Sequence, residues 1–157
     1  MMSGALAAVA APAVAASDPY EALKAIDGRW TVSTGKTTET IENTCAKTGL
    51  FFVCEQAVRG KPAALIVFLP RSTGRGTLVF QTETLTAAGD KAGPWHELTI
   101  DGDHWVYADI EKPRHGVRRE RTLNSFSGPD YIHFEVQSST DGETWTTRVA
   151  GDEHRAP

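Results

Sequence analysis

The chain has 157 residues, of which 40% are hydrophobic and 23% charged, and it carries a net charge of −4 at pH 7. That length suits one domain and that balance suits a folded body, which argues against two thin-cored domains and against general disorder. The negative charge argues against a general nucleic-acid binder, which needs a basic face to displace phosphate counterions.

The N-terminal segment differs from the rest. Residues 1–17 hold no charged side chain and are mostly Ala and Val. The stretch is interrupted by Pro12 and is too short to span a bilayer comfortably. Ala13-Val14-Ala15 has the small-x-small form of a signal-peptidase site. Residues 1–16 therefore read as a signal peptide, although no Lys or Arg precedes the apolar stretch, and 17–157 as the domain. No later apolar segment reaches the length of a membrane span. Two cysteines, Cys45 and Cys54, give an even count. In an exported chain that favours a disulfide, and hence a periplasmic or secreted location.

Residues 18–28 read as a short helix, with Asp18 as N-cap, Pro19 at the first helical position and Gly28 ending it. Leu23 and Ile26 share one of its faces. Strands follow at 30–33, then 37–47 and 50–59 as a hairpin. Residues 63–69 are apolar throughout and read as a strand buried on both faces. A loop at 71–76 leads to a strand at 77–85, and a loop at 87–94 to strands at 95–100 and 104–110. Further strands at 117–126 and 131–138 flank a turn at 128–130, and the last hairpin turns at Asp141-Gly142 into 144–150. This spacing without intervening helices predicts an all-β, up-and-down antiparallel β-barrel of about nine or ten strands with a short N-terminal helix.

Register makes these expectations specific. A two-residue turn at Gly49-Leu50 sets Cys45 opposite Cys54, at about disulfide distance. A turn at Asp141-Gly142 sets Glu135 opposite Arg148 and Phe134 opposite Val149. At 101–103 two registers stay open. A three-residue loop opposes Ile100 with His104, whereas a two-residue loop at Asp101-Gly102 opposes Leu98 with Trp105, and one slip exchanges the faces.

The chemistry-bearing residues form no recognised motif. His96, His104, His115, His133 and His154 show no metal-ligand spacing, so no metal and no cofactor is expected. No serine lies in Gly-x-Ser-x-Gly, so no catalytic residue is assigned and the chain leans away from an enzyme. The run at 114–121 is locally basic. On a strand, Arg119 and Arg121 share one face while Arg118 and Glu120 share the other. Either Arg119 and Arg121 sit on a solvated edge, or they point into the barrel beside Tyr131 and His133 and bind an anionic group. The apolar alternation of Ile132, Phe134 and Val136 favours the solvated edge. Trp105 and Tyr107 share a face, either as core or as the wall of a pocket.

The short helix followed by Gly28-Arg29-Trp30 at the head of the first strand resembles the Gly-x-Trp signature of the lipocalins. Val53-Cys54-Glu55-Gln56, Leu98-Thr99-Ile100-Asp101-Gly102 and Asp141-Gly142-Glu143-Thr144-Trp145 are similar to uncharacterised exported bacterial families with lipocalin-like (calycin) barrels. The resemblance implies that Trp30 packs across the closed end of the barrel, under a basic residue from a late strand. Arg148 is the position it suggests. It also implies an interior able to hold a small molecule. The resulting expectation is an exported barrel binding a partly apolar small molecule, with Trp105, Tyr107, Arg119, Arg121 and His133 as candidate ligand-binding residues. An enzyme acting at the barrel mouth, or a module whose interior is filled by side chains, is the alternative. No nucleic-acid partner and no membrane span are expected.

Overall fold

The computed structural model describes residues 18–71, 77–87, 95–109 and 118–157. The signal-peptide reading of 1–16 and the residues Arg114 and His115 lie outside them. Ten strands are present: β1 (Gly28–Thr34), β2 (Thr37–Thr48), β3 (Phe51–Val58), β4 (Lys61–Arg71), β5 (Leu78–Thr86), β6 (His96–Asp101), β7 (His104–Asp109), β8 (Arg119–Phe126), β9 (Tyr131–Ser139) and β10 (Thr146–Arg155). Each pairs antiparallel with its neighbours in the chain, and β1 pairs with β10, so the sheet closes into an up-and-down barrel without a free edge. Among the described residues no helix is long and apolar enough to cross a membrane.

The helix expected over 18–28 is instead one 3-10 turn, Ala22–Ile26. Its last carbonyls are taken by side chains rather than by a continuing helical ladder. Trp30 Nε1 and Asn43 Nδ2 both donate to the Ile26 carbonyl, and Arg155 donates to those of Ala25 and Asp27. Asp18 is not its N-cap, a place taken by Glu21 without a side-chain cap; the Asp18 carboxylate instead accepts from the Tyr20 N–H at 3.0 Å, before the turn begins.

The β2–β3 hairpin has the expected register. Thr48 faces Phe51 across Gly49-Leu50, Gly49 takes a positive φ of 57°, and Cys45 and Cys54 are opposed and disulfide-bonded. Between β6 and β7 neither open register is adopted. The turn is Gly102-Asp103, so Asp101 faces His104, Ile100 faces Trp105 and Leu98 faces Tyr107. The last hairpin corrects the Asp141-Gly142 turn. Asp141 Oδ1 accepts from Ser139 Oγ and from the N–H groups of Glu143 and Thr144, which builds a wider loop over 140–145. A bulge at Arg148 follows, so Glu135 faces Ala150 and Phe134 faces Gly151, rather than Arg148 and Val149.

Cross-strand partners share a face, so the register sorts the side chains into an inner and an outer set. The inner set includes Phe52, Cys54, Phe68, Phe80, Leu98, Ile100 and Trp105, which are buried together with Tyr20 and Leu23. The rings of Tyr20, Phe52, Phe68 and Phe80 follow one another with centroids 5.9 to 6.5 Å apart. These residues fill the end of the barrel that carries the 3-10 turn. Strand β4 is not buried on both faces as its composition suggested. Phe68 points inward and is fully buried, but Leu65, Val67 and Leu69 on the other face are half-exposed. A single closed barrel has one interior, so the outer face of each strand is left to solvent.

Candidate functional site: the open end of the barrel

Opposite the packed end, the turns at 35–36 and 59–60 and the loop at 140–145 surround an open mouth. Here inward-facing side chains are not fully buried. Tyr107, Thr122, Phe134 and Val136 are half-buried, and Val149 is 40% exposed. A cavity of about 440 Å³ opens at this end, lined by His96, Tyr107, Asp109, Arg118, Glu120, Arg121, Thr122 and Val136.

Strand alternation explains this set. Leu98 and Ile100 point into the core, so His96, two residues before Leu98, points inward nearer the mouth. Asp109 lies opposite His96 on β7, and its Oδ1 is 3.2 Å from His96 Nε2. Glu120 enters from β8 and pairs with Arg118 at 2.7 Å. Deeper in the barrel, Tyr107 is flanked by Leu98 and Thr122. Burial raises its phenol, and the neighbouring Glu153 carboxylate raises it further. Glu153 lies between Val32 of β1 and Ile132 of β9. Burial pushes its carboxyl up to about 6. The mouth thus sets Tyr107 and Val136 among polar and charged side chains. Among the described residues no three His, Cys, Asp or Glu side chains gather as a metal site.

The sequence-derived candidates divide. Tyr107 faces the cavity. Trp105 is buried in the packed end, its ring 4.6 Å from that of Phe126, and serves as core. Arg119, Arg121 and His133 start from the outer face, because Glu120, Thr122, Phe134 and Val136 take the inner positions of β8 and β9, yet Arg121 lines the edge of the cavity. Arg121 donates to Gln137 Oε1, and its guanidinium lies 4.1 Å from the Trp145 ring. His133 Nδ1 lies 2.9 Å from Asp152 Oδ1, which also accepts from the Tyr131 hydroxyl.

At the closed end Trp30 is buried, and the guanidinium over its ring, at 4.3 Å, belongs to Arg155. Arg148 is at the mouth instead, with Nε donating to Ser138 Oγ. The shift follows from the length of β10. It runs to Arg155, seven residues past Arg148, and so carries the basic residue down to Trp30. The residues missed from sequence, His96, Asp109, Glu120, Glu153 and Arg155, carry one shared signal. All occupy the same alternating phase as the apolar core positions of their strands.

No family model matches this sequence, and no curated protein matches it. Among solved structures, Rv2717c from M. tuberculosis shares the barrel fold, with a TM-score of 0.51 and 16% identity. The match covers 90% of this chain and 99% of that one. At that identity the likeness is one of fold alone.

Proposed function

We propose that this protein is an exported barrel that holds a small, partly apolar molecule in the open half of its interior. The observation that carries the reading is the contrast between the two halves. One end is packed solid around Phe52, Phe68, Phe80 and Leu98. At the other, Tyr107 and Val136 line the cavity, and Phe134 and Val149 point inward without full burial. Its volume of about 440 Å³ falls within the ordinary range of small-molecule pockets. Tyr107 and Val136 set among charged and polar groups favour a molecule with an apolar part and polar substituents. The lipocalin-like resemblance at Gly28-Arg29-Trp30 agrees with this reading, and the Cys45–Cys54 disulfide supports an oxidising compartment.

The test is titration with a neutral apolar fluorophore such as N-phenyl-1-naphthylamine. Saturable enhancement at one molecule per chain, lost in a Tyr107→Arg variant that still folds, is the expected result. A linear, unsaturable response would sink the reading. Export is read separately. Protein recovered from the periplasm or culture medium should start near residue 16 or 17 and contain no free thiol, and purely cytoplasmic recovery would contradict it.

A further inference from the structure

The rim of the mouth formed by β8, β9 and β10 is rich in guanidinium groups. Arg118, Arg119, Arg121 and Arg148 all gather there, in a chain whose net charge is −4. Arg118 pairs with Glu120, but among the described residues Arg119, Arg121 and Arg148 face no carboxylate at ion-pair distance. Two further acids near these arginines are otherwise engaged. Asp141 is held well below the carboxylate range by the N–H groups of Thr144 and Glu143 and by Ser139. Glu135 accepts from Thr147 Oγ1 and Gln137 Nε2.

A second cavity, of about 390 Å³, lies at this rim between the β9–β10 loop and the mouth. Arg118 and Arg148 line it together with Ser138, Ser139, Thr140, Thr144, Thr146 and the Asp141 carboxylate, whose Oδ1 is taken by Ser139 and the loop N–H groups. Among the described residues only Nε of Arg148 is used, toward Ser138, which leaves its terminal N–H groups for another acceptor. The loop is fixed from outside. Trp145 lies against Arg121 and Arg119, and Gly142 sits so close to Arg119 that a Cβ there would lie 2.8 Å from Nη1. Arg119 Nε is itself buried without a hydrogen-bond partner. The terminal N–H groups of Arg148, the Glu120-paired Arg118 and hydroxyl donors converge on a cavity whose one lining carboxylate, Asp141, is already engaged.

We infer that Arg118 and Arg148 form an oxyanion site at the rim, which takes a carboxylate or phosphate group with Ser138, Thr144 and Thr146 as hydroxyl partners. The planar guanidinium fork suits both groups. The inference deepens the ligand reading above, because the site adjoins the apolar cavity: Arg118 lines both. The oxyanion is then the head group of an amphipathic ligand whose apolar part enters the barrel.

The experiment follows the Arg Nε–H resonances of the intact domain by NMR during titration with inorganic phosphate, decanoate or decanol, against sodium chloride at equal ionic strength. Saturable shifts of Arg118 and Arg148 with phosphate or decanoate, absent with chloride and lost in Arg118→Gln/Arg148→Gln, are expected. Decanoate should bind about tenfold tighter than decanol, the factor corresponding to one charge-assisted hydrogen bond. That preference should vanish in the double variant and persist in Arg148→Lys. Phosphate binding without a preference for decanoate over decanol would place a free anion at the site and overturn the head-group assignment. The site itself is overturned if neither anion gives saturable shifts, if chloride reproduces them, or if they survive in the double variant. Naphthylamine binding reports on the apolar cavity separately, so its loss with anion binding intact would remove only the ligand-cavity reading.

Discussion

Two buried side chains set the character of the two ends. At the closed end Trp30 is 1% exposed, donates through Nε1 to the Ile26 carbonyl and lies under the Arg155 guanidinium. Arg155 also binds the carbonyls of Ala25, Asp27 and Pro129. It therefore ties the last strand to the N-terminal turn. Trp30→Ala should cost about 3–5 kcal/mol, the usual range for truncating a large buried aromatic. Arg155→Ala should be coupled to it by about 0.5–3 kcal/mol, because the groups touch. A double-mutant cycle on urea melts measures this, and additive losses would reject the contact. Toward the mouth, Glu153 titrates near 6 in the folded chain against an ordinary value of 4.5, through burial. The unfolded chain loses that proton first as pH rises, so this group lowers stability progressively between about pH 4.5 and 6 and fully above that range. Glu153→Gln should accordingly gain about 2 kcal/mol relative to wild type between pH 4 and pH 7. A pH-independent difference between the two proteins would show that the carboxyl is solvated.

At the scale of elements, the seam between β1 and β10 decides whether the sheet is a barrel. Gly151 sits at that seam. A Cβ there would lie 2.3 Å from the Ser33 carbonyl oxygen and 2.7 Å from the Phe134 ring. The first neighbour is backbone and cannot move without parting the strands. Gly151→Ala should cost about 1–3 kcal/mol by overpacking, read from urea melts, and a near-neutral result would mean that the seam is wider than described. The same glycine shows why part of this fold was hidden in the sequence. The hairpin at Gly49 could be read directly, and with it the disulfide register, whereas the glycine at 102 left its hairpin's register open. The final strand could not be read directly. Gly151 resembles a stop, and the polar run that follows it resembles a tail, yet that run is β10 and delivers Glu153 inward and Arg155 to Trp30. The loop at 140–145 escaped for a related reason. Its length depends on one carboxylate collecting three donors, which no pairing rule anticipates. The resemblance suggested Arg148 for the closed end, but β10 runs on to Arg155, which takes that place and leaves Arg148 at the mouth. Arg119, Arg121 and His133 were readable as outward-facing from the apolar alternation of Ile132, Phe134 and Val136, which is the stronger signal because burial of apolar area dominates the choice of face.

For the molecule as a whole, the central question is whether the interior is filled from end to end. A filled barrel and a half-hollow barrel share the same strands, register and closed end, but they respond differently to added volume. Leu98 is fully buried within the packed cluster, so Leu98→Phe must displace neighbours and should cost about 1–3 kcal/mol. Val136 faces the cavity and is only half-buried, so Val136→Phe adds its ring to open space. Its stability should lie within about 0.5 kcal/mol of wild type, as for a change that meets no packed neighbour. It should also weaken naphthylamine binding, because the ring occupies the space the dye needs. Paired urea melts, with dye titration on each folded variant, decide the matter. Equal penalties at the two positions would mean that side chains already fill the mouth, and the barrel would then be an interaction module rather than a container. A penalty confined to Leu98, with dye binding impaired only by the change at Val136, would locate the usable volume above Tyr107, between the packed aromatic floor and the arginine-lined rim.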